Sequence, residues 1–430
     1  MYYLIHFMPI LLFVLCFVGS GIYFTMLGIP NAFYQLSSTT AILPAVALGW
    51  LLHKVNAQER MNAFLDGARH RDIITMCFIF VLAGAFTEIT KSIGSVDATI
   101  QMALAFIPSQ FLLIGIFLVS AFISLAIGSS MGTIATIAPI AAGLSAQTDF
   151  PTALSLATVV GGAMFGDNLS IVSDTTIAAV ASQEASLKEK MKLNGKVALI
   201  ASVITIVLLL LLGPSVKSSI EVGHYSLLLT APYILLILCS FAGVNVFISL
   251  PVSILFAGLI GIFMVPDYTF LTFNKNMTVG FASMNEIMLL SLMIGGLSGL
   301  AGKEFSNELV KRLSAWITRR DAGARSAQLM IAALVSLFDL LLANNTIAII
   351  FSGEIAREIA KRHHVPAAYS ATWLDAFSCV FQGLIPYGAQ LLLASSIAGI
   401  SPLSIVPYVY YCYVLAIVAL LHIMFVKPKL

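Results

Sequence analysis

The sequence predicts an all-α polytopic membrane protein with two inverted-topology repeats and broken helices or re-entrant hairpins. Three observations predict it. Of 430 residues, 59% are hydrophobic and only 10% charged, where a soluble protein carries about 25% charged residues. Apolar runs of spanning length, about 20 residues, recur along the whole chain. Several are overlong, short or interrupted by Gly, Ser and Asn, the sequence sign of discontinuous helices.

Taken in order, the runs fall near 3–27, 33–53, 73–92, 101–127, 131–146, 153–182, 197–213, 225–243, 245–265, 285–302, 326–342, 343–356, 367–395 and 403–426, about 12–14 hydrophobic segments. The first lacks a basic n-region and continues into more apolar chain, so it reads as a retained span rather than a cleaved signal. The stretch 101–146 is too long for one helix and too short for two, and Gly128-Ser129-Ser130-Met131-Gly132-Thr133 interrupts it. The run 153–182 is overlong, and Gly161, Gly162 and Gly166 suggest where it breaks. The piece 343–356 is short and opens Ala343-Asn344-Asn345-Thr346. Pro386 and Gly388 mark a break within 367–395. Five cysteines lie in apolar runs without metal-ligand spacing and read as small core residues. Gly295, Gly299 and Gly302 suit close helix packing. No soluble domain of any size is expected.

Basic residues set the sidedness. They gather in 54–72 (Lys54, Arg60, Arg69, Arg71), 183–196 (Lys188, Lys190, Lys192, Lys196), 303–325 (Lys303, Lys311, Arg312, Arg319, Arg320, Arg325), 357–366 (Arg357, Lys361, Arg362) and the tail (Lys427, Lys429). The remaining connections hold at most one each, among them Lys91, Lys217 and Lys275. Fourteen crossings with both termini inside put every basic loop in the cytoplasm.

The runs also repeat. Val81-Leu82-Ala83-Gly84 resembles Met293-Ile294-Gly295-Gly296, Thr133-Ile134-Ala135 recurs as Thr346-Ile347-Ala348, and Ala157-Thr158 as Ala371-Thr372, at a nearly constant offset. Basic loops in one half face nearly uncharged connections in the other, so sides swap. This divides the chain into N-terminal helices 1–59, repeat 1 at 60–213, connecting helices 214–271 and an inverted repeat 2 at 272–426. Such architecture is common in secondary transporters, with sites where broken helices meet near mid-membrane.

The polar residues inside apolar runs are the candidate site. Asp167, Asn168, Ser170, Ser173, Asp174, Thr175 and Thr176 bring carboxylate, amide and hydroxyl oxygens together within ten residues. Hard oxygens of this kind suit Na⁺. A buried carboxylate is costly in hydrocarbon and marks chemistry or ion binding, and one that also takes up a proton exchanges H⁺ for Na⁺. Asp167, Asn168 and Asp174 are therefore the expected sodium ligands. Ser129, Ser130 and Thr133 form a polar break before them, matched by Asn344, Asn345 and Thr346. Asp339 and Asp375 are further carboxylates in apolar runs, with Gln382 following. The competing readings are a polar cap at the membrane edge for Asp174, hydroxyls bonded to their own helix, and Asp375 bonded to Trp373 or Ser378.

Phe165-Gly166-Asp167-Asn168-Leu169-Ser170, followed by Ser173-Asp174-Thr175-Thr176, resembles the signature of the NhaC-type sodium/proton antiporter family, within the wider ion transporter superfamily. The tip at 128–133 resembles that family's first hairpin, and Asn345-Thr346, Asp375 and Leu384-Ile385-Pro386 its second half. The chain departs from the pattern at Ile171-Val172, where a proline-containing dipeptide is frequent, and at Tyr387-Gly388, where Trp-Asn is usual. The resemblance implies an inner-membrane, Na⁺-linked secondary transporter with Asp167 and Asp174 at its site. It implies no cofactor beyond the ions carried. The partners are lipid, sodium ion, proton and, in an alternative reading, a small organic solute such as an amino acid or carboxylate; a homodimer is compatible with it. No Walker motif, nucleotide fingerprint or HExxH is present, against an ATP-driven pump or a zinc protease. A net charge of +2 gives no case for nucleic acid. An enzyme is not expected, and the repeat argues against a channel or structural role.

Overall fold

The computed structural model describes residues 8–27, 29, 35–52, 55–106, 108–148, 150–171, 173–212, 226–242, 244–301 and 323–426. Lys54, Val172, Lys217, Gly302, Lys303, Lys311, Arg312, Arg319, Arg320, Lys427 and Lys429 lie outside them. Among the described residues the protein is helical and contains no strand. In chain order the helices are α1 (Met8–Met26), α2 (Ser38–Leu52), α3 (Ala57–Ala68), α4 (Arg71–Ser92), α5 (Ser95–Phe106), α6 (Leu112–Ile127), α7 (Ser130–Gln147), α8 (Thr152–Leu169), α9 (Asp174–Gln183), α10 (Leu187–Leu212), α11 (Leu227–Phe241), α12 (Val246–Met264), α13 (Phe270–Ser283), α14 (Asn285–Ala301), α15 (Ala324–Leu342), α16 (Asn345–Arg362), α17 (Ala367–Gln382), α18 (Ala389–Ala398), α19 (Pro402–Ile405) and α20 (Tyr410–Phe425).

Among the described residues, six helical stretches are long and apolar enough to cross a membrane. A seventh arises if Ala389–Ala398 and Pro402–Tyr408, bent by 101°, form one span. Five shorter apolar helices accompany them. The 12–14 segments expected from the sequence thus include pieces shorter than a full crossing, because the chain breaks inside its apolar runs. Leu11, Leu15, Leu211, Phe263 and Phe425 project outward, as residues facing hydrocarbon do. Pro44, Pro139, Pro232 and Pro251 lie inside helices, which membrane helices tolerate when neighbours satisfy the freed carbonyls.

Two connections expected as loops are partly helical. Asn56 accepts from the Glu59 amide and starts α3; Thr269 accepts from the Thr272 amide and starts α13. The expected break at Gly161, Gly162 and Gly166 does not occur. The helix α8 runs through all three and stops at Leu169, and the chain is extended at Ser170 and Ser173 before α9. The glycines serve packing instead. A Cβ at Gly166 would lie 2.4 Å from the Ser124 Cβ and 2.5 Å from the Ala121 carbonyl oxygen, so only a bare backbone lets α8 approach α6.

The two hairpin tips share one geometry. The helix α6 ends at Gly128 in the left-handed region (φ 70°), and α15 ends at Ala343 in the same region (φ 50°). The next residue caps the following helix in each case. Ser129 (φ −146°, ψ 113°) accepts from the Gly132 amide, and Asn344 (φ −148°, ψ 110°) from the Ile347 amide. Pro151 and Pro366 precede α8 and α17, and left-handed Glu184 and Gly399 follow α9 and α18. Those caps pair Ser130 with Asn345 and Asp167 with Gln382. The sequence match of Thr133 to Thr346 is therefore two residues out of register with the caps.

Glycines also join the halves. A Cβ at Gly67 on α3 would lie 2.1 Å from the Gly295 oxygen on α14, and one at Gly84 on α4 would lie 2.2 Å from the Gly280 oxygen on α13. Gly67→Leu forces two backbones apart and is expected to destabilise the protein by about 1–3 kcal/mol or more. Gly195→Ala, with nothing within 4 Å, should be near neutral. Thermal unfolding of the detergent-solubilised variants compares them.

Candidate functional site

The break between α8 and α9 delivers the central carboxylate. Asp167 occupies the last turn of α8 and is buried. Its Oδ1 accepts from the Ser173 hydroxyl at 2.6 Å and its Oδ2 from the Ser130 hydroxyl at 2.9 Å. Ser173 is the residue before α9, yet its side chain makes no cap bond there; the hydroxyl is committed to Asp167. Ser130 opens α7. Two helix N-termini therefore flank the carboxylate, an arrangement favourable to negative charge. Among the described residues both donors to Asp167 are neutral hydroxyls. Thr175 extends the group through Ser173 at 2.9 Å.

The second carboxylate is held differently. Asp375, in the middle of α17, forms an ion pair with Lys190 of α10, and both side chains are fully buried. The bond from Thr176 to Asp375 is 3.3 Å. Lys190 Nζ also donates to Thr176 Oγ1 at 2.9 Å and to the Asn168 carbonyl at 3.3 Å. Asn194, one turn on, donates to the Asn168 carbonyl and to its side-chain oxygen, each at 2.7 Å. The carbonyl freed where α8 ends thus binds a resident ammonium and an amide. Neither Trp373 nor the Ser378 hydroxyl meets the Asp375 carboxylate: the indole donates to Gln328 and the hydroxyl to the Asp375 main chain.

Amides connect this cluster to the second tip. Gln390 of α18 donates to the Ser130 hydroxyl at 3.2 Å, and Gln382 donates to Gln390 at 2.6 Å and to the Ala343 carbonyl at 3.3 Å. One chain of contacts runs from Asp167 through Ser130 and Gln390 to Gln382, between α7, α8, α17 and α18.

The other expected residues are distributed as follows. Ser170 is buried at the break. Thr133 bonds back to the Ser129 carbonyl at 3.0 Å, and Ser129 and Asn344 act as caps. Asn345 accepts from the Thr346 amide at 3.1 Å, and Thr346 is half-buried. Asp339 is fully buried on α15. Asp174 opens α9 and is exposed. It does not join the buried group, because α8 and α9 are separate helices with an extended stretch between them.

Lys190, Asn194 and Gln390 escaped the sequence reading. Lys190 had been counted with three other lysines of a basic loop, but α10 begins at Leu187; Lys188, Lys192 and Lys196 are exposed and Lys190 is not. A signal was present. Lys190, Asn194, Val197, Ala198 and Ala201 follow helical spacing and are all buried.

An all-helical membrane protein with carboxylates buried where its helices break belongs, by construction, among the transport proteins. The sequence pattern of the Na+/H+ antiporter family matches residues 2–214 and 162–301, and the chain belongs to that family. It is 25% identical to the Na(+)/H(+) antiporter NhaC of Bacillus subtilis (strain 168), over 97% of this chain and 96% of that protein. The NhaC antiporter of Alkalihalophilus pseudofirmus is 28% identical over 41% of this chain and 38% of its own length. The malate-2H(+)/Na(+)-lactate antiporter of Bacillus subtilis is 21% identical over 89% and 86%.

Lys190→Met leaves the Asp375 carboxylate buried without its cation, and losing one member of a buried pair is worth about 3–5 kcal/mol. The single variant should unfold at clearly lower temperature than wild type. The double variant Lys190→Met/Asp375→Leu should recover part of that loss. An equally unstable double variant would show that the pair itself is not the stabilising element.

Proposed function

We propose that the protein is a secondary transporter that exchanges Na⁺ for H⁺ across the inner membrane by alternating access, with the two ions competing for Asp167. The observation that carries this reading is the difference between the two carboxylates. Asp375 already has Lys190 as its cation. Among the described residues the donors to Asp167 are hydroxyls, so within this cluster it is the charge left to take an external monovalent cation. Ser130, Ser173 and Thr175 supply further hard oxygens around it. An empty, ionised Asp167 is costly to carry through hydrocarbon, so only the Na⁺-loaded or H⁺-loaded form reorients. That rule makes the exchange obligatory. Asn168, Asp375 and Thr176 position the site through Lys190.

The matched caps support reading 60–213 and 272–426 as inverted repeats. The contacts of α7 with α18 and of α9 with α16 place each broken segment against the opposite half, where relative movement would open the site to one side and then the other. Helices 1–59 and 214–271 flank them, and both termini are cytoplasmic in this arrangement.

A second reading is favoured by the likeness to the malate-2H(+)/Na(+)-lactate antiporter: coupling of Na⁺ or H⁺ to a small carboxylate. The amides of Gln382 and Gln390 beside Ser130 are groups that could bind such a solute.

Reconstituted vesicles separate the two. A Na⁺ pulse that dissipates a pH gradient with no organic solute present supports exchange; flux that appears only with malate or lactate favours the second reading. Asp167→Asn should abolish exchange while the protein still inserts and folds. In wild type the apparent KM for Na⁺ should rise as pH falls, by up to about tenfold per pH unit, the limit for one competing proton. A KM independent of pH would remove competition at a shared group.

A reporter at Ala185 should read cytoplasmic and one at Ser401 external. The same side for both would overturn the inverted repeat.

A further inference from the structure

We infer that Asp339 forms a second, proton-carrying site at the other hairpin tip, distinct from the Asp167 site, so that more than one H⁺ moves per Na⁺. The inference rests on the exchange reading above. It starts from a vacancy in the hydrogen bonding. Asp339 is fully buried on α15, and among the described residues neither carboxylate oxygen has a hydrogen-bond partner of normal geometry, although the Gln382 main chain lies beside it. A bare carboxylate in that position is severely penalised. A proton neutralises it and turns one oxygen into a donor.

The surroundings favour a proton over Na⁺. Asp339 faces the main chain of Gln382 and the Tyr387 phenol. Two carbonyls at this tip are already occupied, Ala343 by the Gln382 amide and Leu340 by the Tyr387 hydroxyl at 2.6 Å. A sodium ion needs several free oxygens at once. The Gln382 Oε1, by contrast, is buried and lacks a donor, and a protonated Asp339 is a donor.

The caps explain why the charge stands here. They pair Asp167 with Gln382 and Ser124 with Asp339. In the first half a carboxylate sits on α8, and the Ser124 hydroxyl on α6 donates to the Ala163 carbonyl at 2.6 Å. In the second half the α17 position is an amide and the carboxylate has moved to the neighbouring α15. Each tip keeps one acid without a cation.

The two acids stand on different helices, Asp167 at the end of α8 and Asp339 near the end of α15. The elements packed on α15 bring Glu286 (α14), Glu354, Arg357, Glu358, Lys361 and Arg362 (α16), Asp375 and Cys379 (α17) and His422 (α20). The Gln382–Gln390–Ser130 chain links the sites. It conveys hydrogen-bond geometry rather than protons, since an amide does not give up its proton. Each proton therefore enters Asp339 from one aqueous side and leaves to the other.

The experiment measures the H⁺:Na⁺ ratio from the reversal potential of exchange in proteoliposomes. Wild type should give a ratio above one and respond to membrane potential. Asp339→Asn should still exchange, at a ratio of one and without voltage sensitivity. A wild-type ratio of one overturns the second site, as does an Asp339→Asn variant that keeps the wild-type ratio. A folded Asp339→Asn protein without any exchange also overturns it, by making Asp339 part of the Asp167 site. If that variant does not fold, Asp339→Ser, the residue at the matching position of the first tip, is read against the same outcomes. Absence of Na⁺-dependent proton movement in wild type would instead overturn the exchange reading itself.

Discussion

Four helices converge on the ammonium of Lys190. It meets the Asp375 carboxylate of α17, the Thr176 hydroxyl of α9 and the carbonyl that α8 exposes where it stops, all from a position on α10. In hydrocarbon each of these groups would be costly alone. Together they satisfy one another, and that mutual satisfaction lets α8 end inside the protein. With the α8 terminus secured on one side, Asp167 is free to turn to the other, toward Ser130 and Ser173. The resident cation thus defines, by occupying one carboxylate, which carboxylate stays open. The same pair ties the first broken region to the second, because Lys190 and Asp375 come from different halves of the chain.

Much of this was legible in the sequence where it rested on solvation. Apolar runs had to be helices in a bilayer, and polar residues inside them had to be gathered somewhere. Asp167, Ser130 and Ser173 follow from that rule, as do the breaks at Gly128–Ser129 and Gly383–Gly388. What failed was the meaning of local signals that serve two purposes. Gly162 and Gly166 looked like a helix break and are a contact surface for α6. Lys190 looked like a loop charge, since lysines at a membrane edge usually are, and nothing in its neighbours' identity announces a partner 185 residues away. Asp174 looked like a companion to Asp167 because it stands close to it in the sequence, yet it opens the next helix and is exposed. Long-range pairing and the exact point of a helix break are decided by packing, which a single sequence does not display.

The halves resemble each other in backbone more than in chemistry. The caps at Ser129 and Asn344 coincide within a few degrees, while the residues set on them differ. Asp167 faces Gln382 across the comparison, and Thr175 faces Gln390. The first half keeps acid and hydroxyls, and the second holds amides with an acid shifted to α15. One backbone scheme supports two unlike polar tips.

The glycine seams bear on how the molecule could move at all. At Gly67 and Gly295 between α3 and α14, and at Gly84 and Gly280 between α4 and α13, main chain comes directly against main chain. Such a joint has no play: a helix cannot rotate there without its neighbour's peptide groups following, as meshed gears without backlash turn together. The seams therefore act as a rigid frame across the midline. Travel is easier at joints cushioned by longer side chains and amides, such as those of Gln183, Gln382 and Gln390, which can re-form hydrogen bonds by rotating a few bonds rather than by displacing a helix.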